Sequence, residues 1–359
     1  MTETTAIRPA ASGPLKSKIR SFLRYSLLLL LEGLGINHLF SFLNREQILI
    51  LWYHGICDDD FTTLRGYDER HIPGSLFRRQ LAHLKRRGYR FVTMSTLTRL
   101  DPARKERHKL ATLTFDDGFQ NVVRNAYPVM REFGARGCFY LVSDLIGKEE
   151  LLWTDLVETS IRNSKEKAFR FRLEGETIAY EMGSPAARGR AMKDIKSRLR
   201  TLPDRARRAH MKQFALEDGA VHEKEFRLAG WEEIRAIDRE ILEIGSHTKT
   251  HPNCVNLTSR DELEDEILRS RLEIEKRVGY EIRHFCYPAG AYNDSVLEWV
   301  KNSGYRSAVT IIPGLNDEET DPLQLKRIGV NENFLLFKAM TSGSYGFLIN
   351  LLRSFRLSG

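Results

Sequence analysis

The stretch Thr112-Leu113-Thr114-Phe115-Asp116-Asp117-Gly118-Phe119 constrains the fold more than any other. Lys109 to Phe115 reads as a short buried strand. The chain then turns at Gly118 and enters a helical pattern from about Phe119 to Phe133. Two acids at a strand's end, just ahead of a turn, sit where α/β folds place their chemistry. Adjacent carboxylates repel unless a cation or a shared proton lies between them. The plainer reading is a solvated Asp-Asp turn capping the next helix. Three further stretches weigh against it.

The second is Glu243 to Pro252, where the strand Ile241 to Ile244 leads through Gly245 to His247 and His251. One helical turn would put residues four apart on the same side, so these imidazoles could share a metal ion. The third is His284 to Asn293, a strand ending in the turn Pro288-Ala289-Gly290. Such a turn can aim a backbone N–H at a developing oxyanion. The fourth is Ile48 to Gly55, an apolar strand that delivers His54 at its end. Four strands, each ending in polar residues and a turn, describe one mouth of a parallel barrel.

Strands are expected at 47–53, 89–93, 110–115, 137–142, 241–245, 283–287, 306–310 and 324–329, and helices at 75–87, 119–133, 258–278 and 293–303. That alternation predicts a parallel sheet or barrel. His247 follows Asp117 by 130 positions, more than one βαβ unit needs, so residues 149–228 read as a helical insertion. Ten Lys/Arg between Arg188 and Lys212 form a solvated helical face or, alternatively, a clamp for an anionic part of a substrate. Trp153 is core or a surface on which a sugar stacks. Residues 1–15 are polar and expected to be disordered. Residues 16–46, with Lys16, Lys18, Arg20 and Arg24 ahead of Leu27 to Leu31, suggest a basic, apolar helix pair lying on a membrane or packed on the barrel bottom. Residues 47–333 form the barrel with its insertion, and residues 334–359 an apolar C-terminal helix with Phe347, Leu348, Leu351, Leu352 and Phe355 on one face. Cys57, Cys138, Cys254 and Cys286 show no paired spacing and read as reduced thiols of a cytoplasmic protein. A net charge of +8 favours anionic surfaces such as phospholipid headgroups, for instance at the inner face of a membrane, sugar phosphates or nucleic acid, and does not choose among them. No signature supports nucleic acid as a partner.

Thr114-Phe115-Asp116-Asp117-Gly118, Ser246-His247 through His251-Pro252, and Tyr287-Pro288-Ala289-Gly290 with Asn293 together resemble the motifs of the polysaccharide deacetylase family, also called NodB-homology or carbohydrate esterase family 4. The resemblance spans about Ile48 to Val330. It implies a distorted (β/α) barrel of seven or eight parallel strands, here with a helical insertion and apolar terminal helices. It implies that Asp117, His247 and His251 hold a divalent metal, Zn²⁺ by preference, and that Asp116 is the catalytic base. The backbone N–H of Ala289 takes the oxyanion role. The implied reaction removes N-acetyl, or similar N-acyl, groups from an amino sugar in a polymeric, oligomeric or lipid-linked glycan.

Two departures stand out. The family's third motif usually opens with an arginine that orients the base, and Cys286 holds that place. A late Leu-x-His usually supplies the acid, and the matching stretch Leu325-Lys326-Arg327-Ile328 has no histidine. His54, in a Tyr53-His54 pair similar to an early Tyr-His of some relatives, is the candidate acid. Arg327 on the last strand is the candidate replacement for the arginine. Two rival readings stand beside this one. Two histidines and a carboxylate also make the facial triad of non-haem Fe(II) enzymes. The missing arginine and Leu-x-His would also suit a non-catalytic glycan or membrane-surface binder on a deacetylase scaffold.

Overall fold

The computed structural model describes residues 25–60, 70–100, 108–214, 224–330 and 332–349. The expected disorder of residues 1–15, the start of the basic segment, and Leu351, Leu352 and Phe355 of the C-terminal face lie outside the described residues. The chain divides into two compact units, Arg45–Glu332 and a smaller one formed by Met1–Asn44 with Asn333–Gly359.

In the larger unit, seven parallel strands close into a barrel in the order β1 (Leu49–Tyr53), β12 (Leu325–Gly329), β11 (Ser307–Pro313), β10 (His284–Cys286), β9 (Leu242–Ser246), β6 (Gly137–Leu141) and β5 (Leu110–Phe115). Pairing of β1 with β5, from Leu49 opposite Ala111 to Tyr53 opposite Phe115, closes the ring. The two-residue β4 (Arg90–Phe91) adds to β5 beside it. All eight strands read from the sequence are present; β1, β5, β6, β9, β10 and β11 are mainly apolar, as expected of strands covered on both faces, whereas β4 and β12 carry charged residues. The interior packs Ile50, Leu110, Cys138, Tyr140, Cys286 and Val309. The parallel pair β2 (Gly55–Cys57) and β3 (His71–Pro73) was not anticipated.

The insertion corrects an expectation. It is not purely helical: between the helix Trp153–Asn163 and the helix Pro185–Thr201 lies an antiparallel hairpin, β7 (Ala168–Leu173) and β8 (Glu176–Glu181). Glu174 and Gly175 at its tip both have positive φ, the requirement of a two-residue hairpin turn of the primed kind. With the helix Asp204–Met211, these elements enclose their own core of Phe171, Ile195, Leu199 and Phe214, with Trp153 at its edge.

In the smaller unit, Leu28 and Leu31 pack against Leu336 and Ala339 of the helix Phe334–Ser342. The C-terminal helical stretch is not continuous, because Gly343 at φ 86° breaks it. No single helix among the described residues is long and apolar enough to cross a membrane.

Candidate active site

The ends of β1, β5, β9 and β10 open into one cleft of about 410 Å³. Its walls include Trp52, His54, Asp116, Asp117, His247, His251 and Ala289, so six sequence-predicted site residues are brought together in one place. The seventh, Arg327, lies beneath, fully buried.

Arg327 donates from Nη1 to Asp116 Oδ1 at 2.7 Å and from Nη2 to Oδ2 at 2.9 Å. Its remaining donors reach the Thr310 carbonyl at 2.7 Å, Thr114 Oγ1 at 3.1 Å and Cys286 Sγ at 3.4 Å. Its guanidinium carbon lies 4.9 Å from the centre of the Trp52 ring. Bidentate pairing of this kind fixes a carboxylate's orientation as well as its charge. Burial pushes the Asp116 carboxyl up, but the Arg327 charge and hydrogen bonds, with His247 and His54 nearby, outweigh it, and the net shift is downward. The arginine place in β10 is thus empty of arginine, yet the arginine's contact is made from β12.

Asp117 turns away from this clasp. Gly118 follows at φ 87°, and a Cβ there would lie 2.7 Å from the Ile146 side chain, so the turn requires glycine. Asp117 Oδ1 stands 3.5 Å from His247 Nε2 and 3.4 Å from His251 Nε2, and Oδ2 lies 3.7 Å from Arg70 Nη1. Four-coordinate zinc with bonds of about 2.0–2.1 Å places its ligand atoms roughly 3.3–3.4 Å apart. The three donors therefore fit a divalent ion in spacing and in type. His247 Nδ1 lies 2.8 Å from the Cys286 carbonyl, which can only accept, so Nδ1 carries a proton and Nε2 is the nitrogen left for a metal. Burial pulls both histidines down. For His247, the neighbouring Cys286, Asp117 and Asp116 outweigh it and the net shift is up, whereas His251 falls to about 3. Their rings are 4.8 Å apart beside a buried carboxylate, and one proton there excludes a second.

A second group of possible ligands, Asp116, His247 and Cys286, does not form a metal site. Both Asp116 oxygens are occupied by Arg327, and burial pushes the Cys286 thiol up, away from the thiolate that metals bind.

The histidine pair corrects the expected geometry. His247 and His251 are not on a helical turn; they lie in an irregular segment after β9. Thr248 at φ 67° and His251 at φ 60° curl the chain back on itself, and Thr248 Oγ1 accepts from the His251 N–H at 3.0 Å. Glu266 holds the segment from outside. Its Oε2 accepts from the Lys249 and Thr250 backbone N–H groups at 3.0 and 2.9 Å, and its Oε1 from Thr250 Oγ1 at 2.6 Å and from Arg208 at 2.8 Å. Trp153 Nε1 donates to the His251 carbonyl at 2.9 Å, so this tryptophan is a wall of the cleft as well as the edge of a core.

His54 is half-buried on the rim, its ring 5.1 Å from that of Trp52. Ala289 has φ 54° in the turn after β10. His284 sits at the other end of β10, bonded to Ser95 and Ser307, and has no part in the cleft. Cys57, Cys138, Cys254 and Cys286 are buried and form no disulfide among the described residues.

Of the basic run at 188–212, Arg188 caps the Trp153–Asn163 helix through the Ile161 carbonyl, Arg207 pairs with Asp204, and Lys196 pairs with Glu158. Glu158 and Asp155 in turn hold Arg70. Arg200, of the basic run read alternatively as a clamp, lines the cleft. Sequence reasoning missed Arg70 and Glu266, which lie in no motif and are marked only by the folded contacts.

A family model described as polysaccharide deacetylase matches residues 103–179 and 198–308. A Bacillus subtilis (strain 168) protein named as a polysaccharide deacetylase, YxkH, is 19% identical over 286 residues, covering 79% of this chain and 72% of that one. Among solved structures, the Streptococcus pyogenes deacetylase PplD in complex with acetate superposes with a TM-score of 0.53 at 20% identity, covering 82% of this chain and 98% of that one. IcaB from Ammonifex degensii superposes with a TM-score of 0.54 at 18% identity, covering 82% and 97%. These structures share the barrel, and the family model covers more than half of the sequence. The chain belongs to the polysaccharide deacetylase family, hydrolases that deacetylate glycans.

Proposed function

We propose that this chain removes N-acetyl groups from amino sugars of a polymeric, oligomeric or lipid-linked glycan, with Asp116 as base and a divalent ion, Zn²⁺ by preference, held by Asp117, His247 and His251. The observation that carries this reading is the division of labour between adjacent carboxylates. Asp116 is clasped by Arg327, while Asp117 faces two histidines at metal-ligand spacing. A decayed scaffold has no reason to rebuild the arginine contact from a different strand, which weighs against the non-catalytic alternative.

When bound, the ion would acidify water and polarise the amide carbonyl. Asp116, held ionised below the usual carboxylate range, takes one proton from the water that attacks the acetyl carbon. Arg327 keeps that carboxylate aimed at one spot. The Ala289 N–H donates to the oxygen on which negative charge develops. His54 gives a proton to the departing amine as the C–N bond breaks, leaving acetate and a free amino sugar. Around these groups, Trp52 Nε1, Asn253 Oδ1 and His251 Nδ1 are buried without a protein partner among the described residues. Trp52 and Asn253 line the cleft, which suits a hydroxyl-rich ligand.

The test is acetate release from N-acetylated oligosaccharides and from a lipid-linked N-acetylhexosamine, after chelation and again after adding Zn²⁺. Release restored by Zn²⁺ supports the reading, and the preferred substrate identifies the glycan. No release from any of them under either condition refutes it.

A further inference from the structure

We propose that the helix pair Tyr25–Gly33 and Ile36–Leu43 of the smaller unit docks on the anionic leaflet of a lipid bilayer, entering it without crossing. The helix Ile36–Leu43 carries an inverted burial pattern. In a water-soluble helix pair the polar face points out and the apolar face in. Here the helix Ile36–Leu43 buries Asn37 and Ser41, one turn apart, and exposes Leu39, Phe42 and Leu43. The preceding helix exposes Leu29 and Leu30, and Leu34 in the bend between the two is 71% exposed.

Apart from Ser41 Oγ, which is buried without a partner among the described residues, the inward polar groups satisfy one another. Asn37 donates to Glu32 at 2.8 Å, Ser344 donates to Asn37 at 2.7 Å, and Ser342 to Ser344 at 3.1 Å. Lys338 pairs with Glu32, and Asn44 donates to the Ser342 carbonyl at 2.8 Å. Small hydroxyl and amide side chains inside beside Leu28 and Leu31, with further leucines and a phenylalanine outside, is how helices associate where the surrounding solvent is lipid. Apolar side chains of this size in one exposed patch mark an interaction surface.

Geometry and charge select the occupant. The helices bend by 71°. At 1.5 Å per residue the described pair reaches roughly 20 Å end to end, short of the ~30 Å hydrocarbon core, so it can dip into one leaflet only. The flanking sequence carries Lys16, Lys18, Arg20 and Arg24 ahead of the pair, and Arg353 and Arg356 near the other end of the chain. Cations close in sequence to an apolar helix pair match an anionic headgroup layer over acyl chains. A second copy of the chain would carry the same positive charge, which argues against self-association.

The experiment is flotation of the full chain with phosphatidylcholine vesicles containing or lacking phosphatidylglycerol. The parent chain is expected to float with the anionic vesicles, and less so when ionic strength is raised. The variant Leu30→Gln/Leu34→Gln/Phe42→Gln is expected to bind about tenfold less or weaker still, with an unchanged thermal midpoint. Should that variant fold poorly, Leu34→Trp supplies a second readout: its emission should shift to the blue on vesicles and be quenched by brominated acyl chains. The proposal is overturned if the parent does not float, if the triple variant floats equally, or if Leu34→Trp shows neither shift nor quenching. It is also overturned if intact mass shows the pair removed from the mature chain, or if the parent is a dimer that the triple variant dissolves without any vesicle binding.

Discussion

Replacing Arg327 by Met probes the clasp on Asp116 directly. The guanidinium is fully buried, and it is the donor to both oxygens of a carboxylate that is itself 3% exposed. Removing one partner of a buried pair leaves an uncompensated charge and costs roughly 3–5 kcal/mol. In a domain of this size that lowers the thermal midpoint by about 10 °C or somewhat more. The pH dependence carries the sign. In the parent, Asp116 lies below its unfolded value, so its contribution to stability is present above about pH 4 and is lost as pH falls through the folded value. In Arg327→Met, the largest influence left is burial, which pushes the carboxyl up. The variant's deficit is then greatest at neutral pH and shrinks as Asp116 takes up a proton. Calorimetry of parent and variant at pH 7.5 and pH 5, with acetate release followed across pH, reads both effects. The acidic limb of the rate profile should move to higher pH. Adding Cys286→Arg, which offers a guanidinium from the neighbouring side, should recover part of the loss. A deficit below about 1 kcal/mol, the worth of an exposed pair, and equal at both pH values, would refute the reasoning.

Replacing His247 or His251 by Ala should weaken Zn²⁺ binding by more than about 100-fold, beyond the usual effect of an outer contact, while circular dichroism stays native; retained stoichiometric metal would remove that histidine from the site. Asp116→Asn should bind metal as the parent does and lose hydrolysis, and full activity would disqualify Asp116 as base. His54→Ala should keep its metal and lose about 10²- to 10⁴-fold in turnover, with the alkaline limb altered; a parental rate across pH would place the proton donor elsewhere. Glu266→Gln replaces one of the two acceptor oxygens that hold the segment between the histidines, and should lower metal affinity by about 10- to 100-fold. Unchanged affinity in a titration would show that Thr248 and Trp153 hold the segment alone.

The barrel was legible because most of its strands are short, mainly apolar runs closed by a turn, the pattern that burial on both faces favours. The meeting of Asp116, Asp117, His247 and His251 followed from that, since all end strands on one rim. Arg327 was readable only as a displaced charge: its strand, Leu325 to Gly329, sets Lys326 and Arg327 side by side as a solvated segment would, yet Arg327 points inward to Asp116. Glu266 was not readable, because in a run such as Glu262 to Glu266 every acid resembles a solvated one. The hairpin at 168–181 carried its signal, alternation around Glu174-Gly175, and was overlooked amid the surrounding helices. The helical spacing of His247 and His251 suggested a turn of helix, although left-handed residues bring i and i+4 together equally well.

Those left-handed residues bear on the whole site. Asp117, Thr248, His251 and Ala289 are four of the six non-glycine residues with positive φ among the described residues, and each follows the end of a barrel strand. A residue held in such a conformation costs on the order of 1–3 kcal/mol, so the four together cost roughly 4–12 kcal/mol, comparable to the ~5–15 kcal/mol by which a protein is stable at all. None is left to relax. Asp117 is fixed by the Gly118 turn and Arg70, Thr248 and His251 by their mutual hydrogen bond, Glu266 and Trp153, and Ala289 by the bond from the Gly290 N–H to the Tyr287 carbonyl. Strain that is concentrated at one rim and opposed by dedicated buried contacts is not a by-product of closing a barrel, since the strand ends outside the cleft carry almost none. On the proposed reading, it meets a requirement that three ligand atoms, a base and a backbone donor converge on one point that relaxed backbone would not reach.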